Sequence, residues 1–154
     1  MKFSTLGLLV ALVSCTPGGT FAGSGSSGGT SVTTIDVNLT LHQQTNGFSP
    51  DTVTVPVGSS IRFINSDGFA HTATLIPGAT TFPNGRPNVP PWSDGSATSQ
   101  IPKNGPALLS QPWSSGALQA GTASQSITVD TPGTYLYGCY FHYGAPMRGT
   151  IIAQ

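Results

Sequence analysis

Three residue types that bind metals crowd into one stretch of this chain. Residues 133–153 read GTYLYGCYFHYGAPMRGTIIA and contain Cys139-x2-His142-x4-Met147. A thiol, an imidazole and a thioether thus fall within nine residues. One further imidazole, His71, stands upstream in FINSDGFAHTATL. Two imidazoles, a thiolate and a weakly held thioether are the donor set of a blue-copper electron-transfer centre. Thiolate and thioether suit the monovalent ion, and imidazole suits both oxidation states. A site that keeps one geometry for both states passes an electron with little rearrangement. Zinc also takes Cys and His, but thioether is a poor zinc ligand, so the set favours a single copper ion. Taken singly, Cys139 could pack as a small hydrophobe, Met147 as core filling and His71 as a loop histidine.

Those donors need a scaffold, because His71 lies far from the other three in sequence. Thr33 to Leu41 alternates, with Ile35, Val37, Leu39 and Leu41 on one face, the period of a half-buried strand. Asp51 to Val57 repeats the pattern with Val53, Val55 and Val57, and Pro56 marks an edge or a strand end. After the turn Gly58-Ser59-Ser60, residues Ile61, Phe63 and Asn65 share a face. Ile127 and Val129 follow. Tyr135, Tyr137 and Cys139 then oppose Thr134, Leu136 and Gly138, and Thr150 to Ala153 forms a last strand. Short strands between turn signals, without an amphipathic helical stretch, predict an all-β sandwich. Pro77 to Trp113 breaks the pattern with eight Pro. It reads as a long Pro/Gly-rich loop insertion that Trp92, Leu108, Leu109 and Trp113 could pin to the body.

Composition agrees. The chain has 154 residues, 20 Gly and 13 Pro, which disfavours long helices. Only 6% of residues are charged, five basic against five acidic, so a basic nucleic-acid binder is excluded. Three His are too few for a trinuclear copper cluster, and two Cys cannot build a disulfide scaffold. No Ser/His/Asp arrangement, paired carboxylates or phosphate-cradling Gly loop stands in the required context, so an enzyme is not expected.

The N-terminus reads as an address. Lys2 precedes an apolar run from Phe3 to Val13, shorter than the roughly 20 residues of a membrane span but suited to a signal-peptide core. Leu12-Val13-Ser14-Cys15 resembles a bacterial lipoprotein processing site. Residues 1–14 are then the signal, and Cys15 is the lipidated first residue of the mature chain. An ordinary secretory signal cut after Ala22 is the other reading. Residues 15–31 are Gly/Ser-rich after the Cys, a flexible tether spanning roughly 20–24 Å. Residues 32–154 form the folded domain. Lipidation of Cys15 leaves Cys139 without a disulfide partner, which agrees with a role as ligand.

With these residues in view, the chain resembles the cupredoxins, in their plastocyanin and pseudoazurin branch. The resemblance rests on Phe48-Ser49-Pro50-Asp51-Thr52-Val53-Thr54-Val55, Gly58 and Ile61-Arg62-Phe63-Ile64-Asn65, on Gly68-Phe69-Ala70-His71, and on Gly133-Thr134-Tyr135-x-Tyr137-x-Cys139. It covers about residues 34–76 and 114–153. It implies a Greek-key β-sandwich and one type 1 copper ion held by His71, Cys139, His142 and Met147, with Asn65 and Thr72 in support. The family commonly has Asn directly after its first His, bonded across to the Cys loop; here the residue is Thr72. Pro commonly precedes the second His; here it is Phe141, and Pro146 instead precedes Met147. The resemblance further implies that electrons pass at the edge of His142, with Phe69, Ala70, Ala145 and Pro146 as its rim. The expected protein is an exported, membrane-anchored, monomeric electron carrier of the cell envelope or periplasm that docks redox proteins near His142. The alternative is an envelope copper protein for carriage, buffering or resistance. Tyr140 and Tyr143 flank the ligands, and His42 is read as a strand-end surface residue.

Overall fold

The computed structural model describes residues 31–154; the apolar leader, Cys15 and the Gly/Ser tether lie outside the described residues. Eleven strands form two sheets. They are β1 (Val32–Val37), β2 (Phe48–Ser49), β3 (Thr52–Val55), β4 (Ser60–Asn65), β5 (Thr74–Leu75), β6 (Gln100–Ile101), β7 (Ala107–Leu108), β8 (Ser114–Ser115), β9 (Ile127–Thr128), β10 (Gly133–Gly138) and β11 (Arg148–Ala153). One sheet runs β2-β1-β4-β9-β7 and the other β3-β11-β10-β5-β8-β6. The chain leaves the first sheet after β2, adds β3 beside β11, and returns as β4 parallel to β1. This crossing between layers makes the domain an all-β Greek-key sandwich. Pro56 ends β3, which is an edge strand of its sheet.

The inward faces follow the period-two pattern. Ile35, Val37, Ile61, Phe63 and Ile127 from one sheet meet Val55, Tyr137 and Ile151 from the other, all essentially buried. Tyr137 packs edge-on against Phe63 and Phe48, with ring centroids 5.2 and 4.8 Å apart. Each such ring removes a large apolar area from water, which drives the two layers together.

Two expectations need correction. The first strand stops at Val37 rather than Leu41, and Leu41 is 74% exposed. Side chains end it: Asn38 Oδ1 accepts the Leu41 N–H at 2.8 Å, and the Asp67 carboxylate accepts the Leu39 N–H at 2.9 Å. Those donors are no longer free for a sheet ladder, so local alternation loses to side-chain capping. Similarly Val57 lies beyond the end of β3 and is exposed.

The Pro-rich insertion covers the outer face of the second sheet. Trp92 is buried against Ile76, Leu136 and Tyr143, and its indole N–H donates to the Leu75 carbonyl at 2.7 Å. Leu109 and Trp113 enter the main core, whereas Leu108 is half-buried. Leu136, on the strand face opposite Tyr137, therefore has its own apolar cover.

Candidate metal centre

The first donor is set by a tight loop. Asn65 ends β4 fully buried, and its amide donates to the Phe69 and Leu118 carbonyls at 2.7 and 2.8 Å. Its side-chain oxygen accepts the Asp67 N–H at 2.9 Å. One amide thus closes residues 65–69, and a backbone bridge between His71 and Leu118 fixes the loop's far end.

The second and third donors come from the turn between β10 and β11. Gly138 pairs with Thr74 and Arg148, which places Cys139 beside the His71–Thr72 segment. The Cys139 N–H donates to the Met147 carbonyl at 3.0 Å, and the Ala145 and Met147 N–H groups both reach the His142 carbonyl. A Cβ at Gly138 would lie 2.9 Å from the Tyr143 ring and 3.0 Å from the Met147 oxygen, so this tight return admits only glycine without rearrangement.

The donor atoms converge. Cys139 Sγ lies 3.8 Å from His71 Nδ1 and 3.6 Å from His142 Nδ1, and the two nitrogens are 3.1 Å apart. A triangle with these edges has a circumradius of about 2 Å, the bond length of a first-row metal to imidazole nitrogen. His71 and Cys139 are fully buried and His142 is half-buried. These three form the one such cluster of His, Cys and acidic side chains among the described residues. Met147 is also fully buried; a Cβ at Gly47 (φ +76°) would meet its Cγ at 3.0 Å and its Cε at 3.1 Å, so the thioether lies against Gly47. Two imidazoles and one thiol fit copper by donor chemistry and by the size of the gap between them.

The electrostatics suit a cation. Burial pushes the Cys139 thiol up, although N–H groups of Thr72, His142 and Phe141 and the Thr72 hydroxyl pull the other way. A positive ion bound there would reverse that balance and favour the thiolate. Burial, then repulsion from His71, holds His142 below the usual imidazole range, with Asp67 partly offsetting it. His142 is therefore neutral at pH 7, with a lone pair to give.

Thr72 takes the bridging position. Its N–H points at Cys139 Sγ at 3.4 Å, and its hydroxyl accepts the Tyr140 N–H at 2.8 Å. The Thr74 hydroxyl lies 3.2 Å from that of Thr72 and 2.8 Å from that of Ser114, which donates to the Ala97 carbonyl at 2.6 Å. A line of buried hydroxyls thus runs from the Cys139 loop to the insertion. Asp67 was not among the expected site residues, yet its carboxylate sits 3.1 Å from His71 Nε2 with 5% side-chain exposure. Burial pushes Asp67 up, but bonds from His71, Gly68 and Thr40 outweigh it and hold the carboxyl below its usual range. Its place four residues before His71 was the available signal; nothing in sequence says that the carboxylate turns inward.

A shallow apolar opening exposes His142 between Leu39, Thr40, Gln43, Phe69 and Ala145. Phe69 and Ala145 were expected at this rim, but Ala70 and Pro146 do not line it, and the 39–43 segment was not foreseen. Phe69 is 65% exposed. His42 stands apart from the metal cluster and pairs with Asp36 at 2.7 Å. Tyr140 and Tyr143 flank Trp92, with Arg86 over the first ring and Arg148 over the second.

Residues 35–154 match the family model described as copper binding proteins, plastocyanin/azurin family. The chain is 31% identical to a plastocyanin of Scenedesmus fuscus over 107 residues, covering 70% of this chain and 86% of that one. It is 33% identical over 105 residues to a chloroplastic plastocyanin of Physcomitrium patens, covering 68% of this chain and 49% of the relative. Among solved structures it is similar to a purple cupredoxin from Nitrosopumilus maritimus, at 17% identity and a TM-score of 0.48, covering 79% of this chain and 99% of that one.

Proposed function

This chain belongs to the plastocyanin/azurin family of copper-binding proteins, and on that premise we propose that it is a single-electron carrier of the cell envelope. The observation that carries the reading is the triangle of Cys139 Sγ, His71 Nδ1 and His142 Nδ1, with edges of 3.1–3.8 Å, opening at an apolar rim. His71, Cys139 and His142 would hold the ion, with Met147 as a weak fourth ligand. Copper, when bound, supplies the one-electron couple. The packed sandwich holds the donors in one place in both states, which keeps reorganisation small. His142 is the exit, because it alone of the three is part-exposed, and Phe69, Leu39 and Ala145 give its edge an apolar rim. A redox protein docks there through apolar contact.

Anchoring belongs to the same proposal. The Leu12-Val13-Ser14-Cys15 motif and the Gly/Ser segment after it support export, lipidation at Cys15 and a domain tethered near the membrane. Lipidation consumes Cys15 and leaves Cys139 as a buried free thiol, which agrees with its role as ligand.

The test is a visible spectrum of the purified chain with copper(II). An intense thiolate charge-transfer band and a reversible one-electron wave are expected. Cys139→Ser should abolish the band and retain the circular-dichroism signature of the sheets. A chain with reduced Cys139 that binds copper(II) without the band would overturn the ligand reading. Ready copper transfer to an acceptor apoprotein, without a reversible wave, would move the function to copper carriage.

A further inference from the structure

Asp67 carries more hydrogen bonds than a loop closure needs. Oδ2 accepts the Leu39 N–H at 2.9 Å and the Thr40 N–H at 3.3 Å, and faces His71 Nε2 at 3.1 Å. Oδ1 accepts the Gly68 N–H at 2.8 Å and the Thr40 hydroxyl at 3.1 Å. Among the described residues no Lys or Arg pairs with it; its one ion-pair partner is His71. A buried charge without a cationic side chain is costly unless something else compensates it.

The N–H and O–H donors supply part of that compensation, and a cation held behind His71 would supply the rest. A carboxylate only accepts, so His71 Nε2 carries the proton and Nδ1 presents a lone pair toward Cys139 and His142. The charges can be counted directly. A divalent ion, one thiolate and one carboxylate sum to zero inside the fold. After one-electron reduction the same set carries minus one. The second condition is the poorer one in a low-dielectric interior. The carboxylate also makes the His71 imidazole a stronger donor, which again favours the divalent ion.

We propose that Asp67 is a positioning residue that sets the reduction potential: through His71 it fixes the ligand tautomer and biases the site toward the oxidised ion. The proposal rests on the ligand reading above. Asp67 also ties the reacting centre to its docking rim, since the Leu39 and Thr40 backbones that it holds line the opening beside His142.

Asp67→Asn removes the charge and keeps an oxygen for His71, at the cost of the Gly68 bond. In the copper-loaded full chain the charge-transfer band should persist. The equilibrium should shift toward the monovalent ion at least tenfold, raising the midpoint by about 59 mV or more. A persisting band with an unchanged or lowered midpoint would overturn the proposal. Loss of the band in the unmodified chain would instead overturn the ligand reading, so the two failures are distinct. Should the variant not fold, nitrogen-15 NMR of the reduced unmodified chain decides. A downfield, exchange-protected Nε2–H signal of His71 is expected, and its absence would refute the role.

Discussion

Thr72→Val isolates the contribution of one buried hydroxyl to the Cys139 loop. Thr72 is fully buried, and its hydroxyl accepts the N–H of Tyr140, the residue directly after Cys139. Valine has nearly the same shape, so packing changes little. The Thr72 N–H still reaches Cys139 Sγ, because that bond is main-chain. The Thr74 hydroxyl keeps Ser114 as a neighbour at 2.8 Å. What remains is a part-buried Tyr140 N–H with no acceptor, worth about 1–3 kcal/mol. In urea, with a slope of about 1–3 kcal/mol/M, the midpoint of the metal-free chain should fall by roughly 0.5–1.5 M. Copper affinity should fall about 10–100-fold, the usual effect of removing a bond that orients a ligand. Thr72→Ser should restore most of both quantities, because it returns the acceptor oxygen. A valine variant within about 0.5 kcal/mol of the parent, or a serine variant no better than valine, would refute the assignment of Thr72 as the bridge between the two ligand segments.

The metal-free chain should lose stability on both sides of neutrality. His142 is held below its usual value, so the unfolded chain binds the extra proton first. Stability is then full above about pH 6.5 and falls as pH drops through the folded value. Cys139 is raised, so stability falls again above about pH 8.5, where the unfolded thiol ionises first. Urea midpoints against pH measure both limbs, and the acid limb should flatten in His142→Gln; a slope unchanged in that variant would refute the assignment. Trp92→Ala should cost about 3–5 kcal/mol, since it empties the apolar cover over Leu136 and leaves the Leu75 carbonyl without its indole donor; thermal unfolding would measure it. With four basic residues against five Asp from residue 32 onward, the folded domain carries a formal charge of minus one. Electron-transfer rates should therefore change less than tenfold between about 10 and 150 mM salt, and a larger fall by stopped flow would argue for charged docking.

The donor types and most of the architecture were legible in the residues themselves. Cys139, His142 and Met147 lie on one short turn, and local sequence alone brings them close. The alternation of Ile61, Phe63 and Asn65, and of Tyr135, Tyr137 and Cys139, is a backbone property, because side chains on a strand point to opposite faces in turn. Those two patterns place Cys139 at the end of one strand and His71 a few residues past the end of another, and the two strands lie in opposite sheets. What alternation does not encode is competition for backbone donors. Residues 38–41 continue the apolar pattern, yet Asn38 and Asp67 take their N–H groups and turn the chain into the rim of the metal site.

Only the tertiary structure decided the rest. Asp67 is one of five Asp, and its distinction is the direction of its carboxylate, set by Leu39 and Thr40 from a segment about 27 residues away. The Pro-rich insertion has no periodicity to read, because prolines fix local dihedrals without declaring a buried face. Its place over Leu136 follows from Trp92 finding an apolar partner and a carbonyl on the same strand pair. The gap of about 2 Å from each donor is likewise a result of register, since Gly138 must face Thr74 for a sulfur and two nitrogens to meet. Residue types determine which ion this chain can hold; long-range contacts determine where the donors stand and which charges surround them.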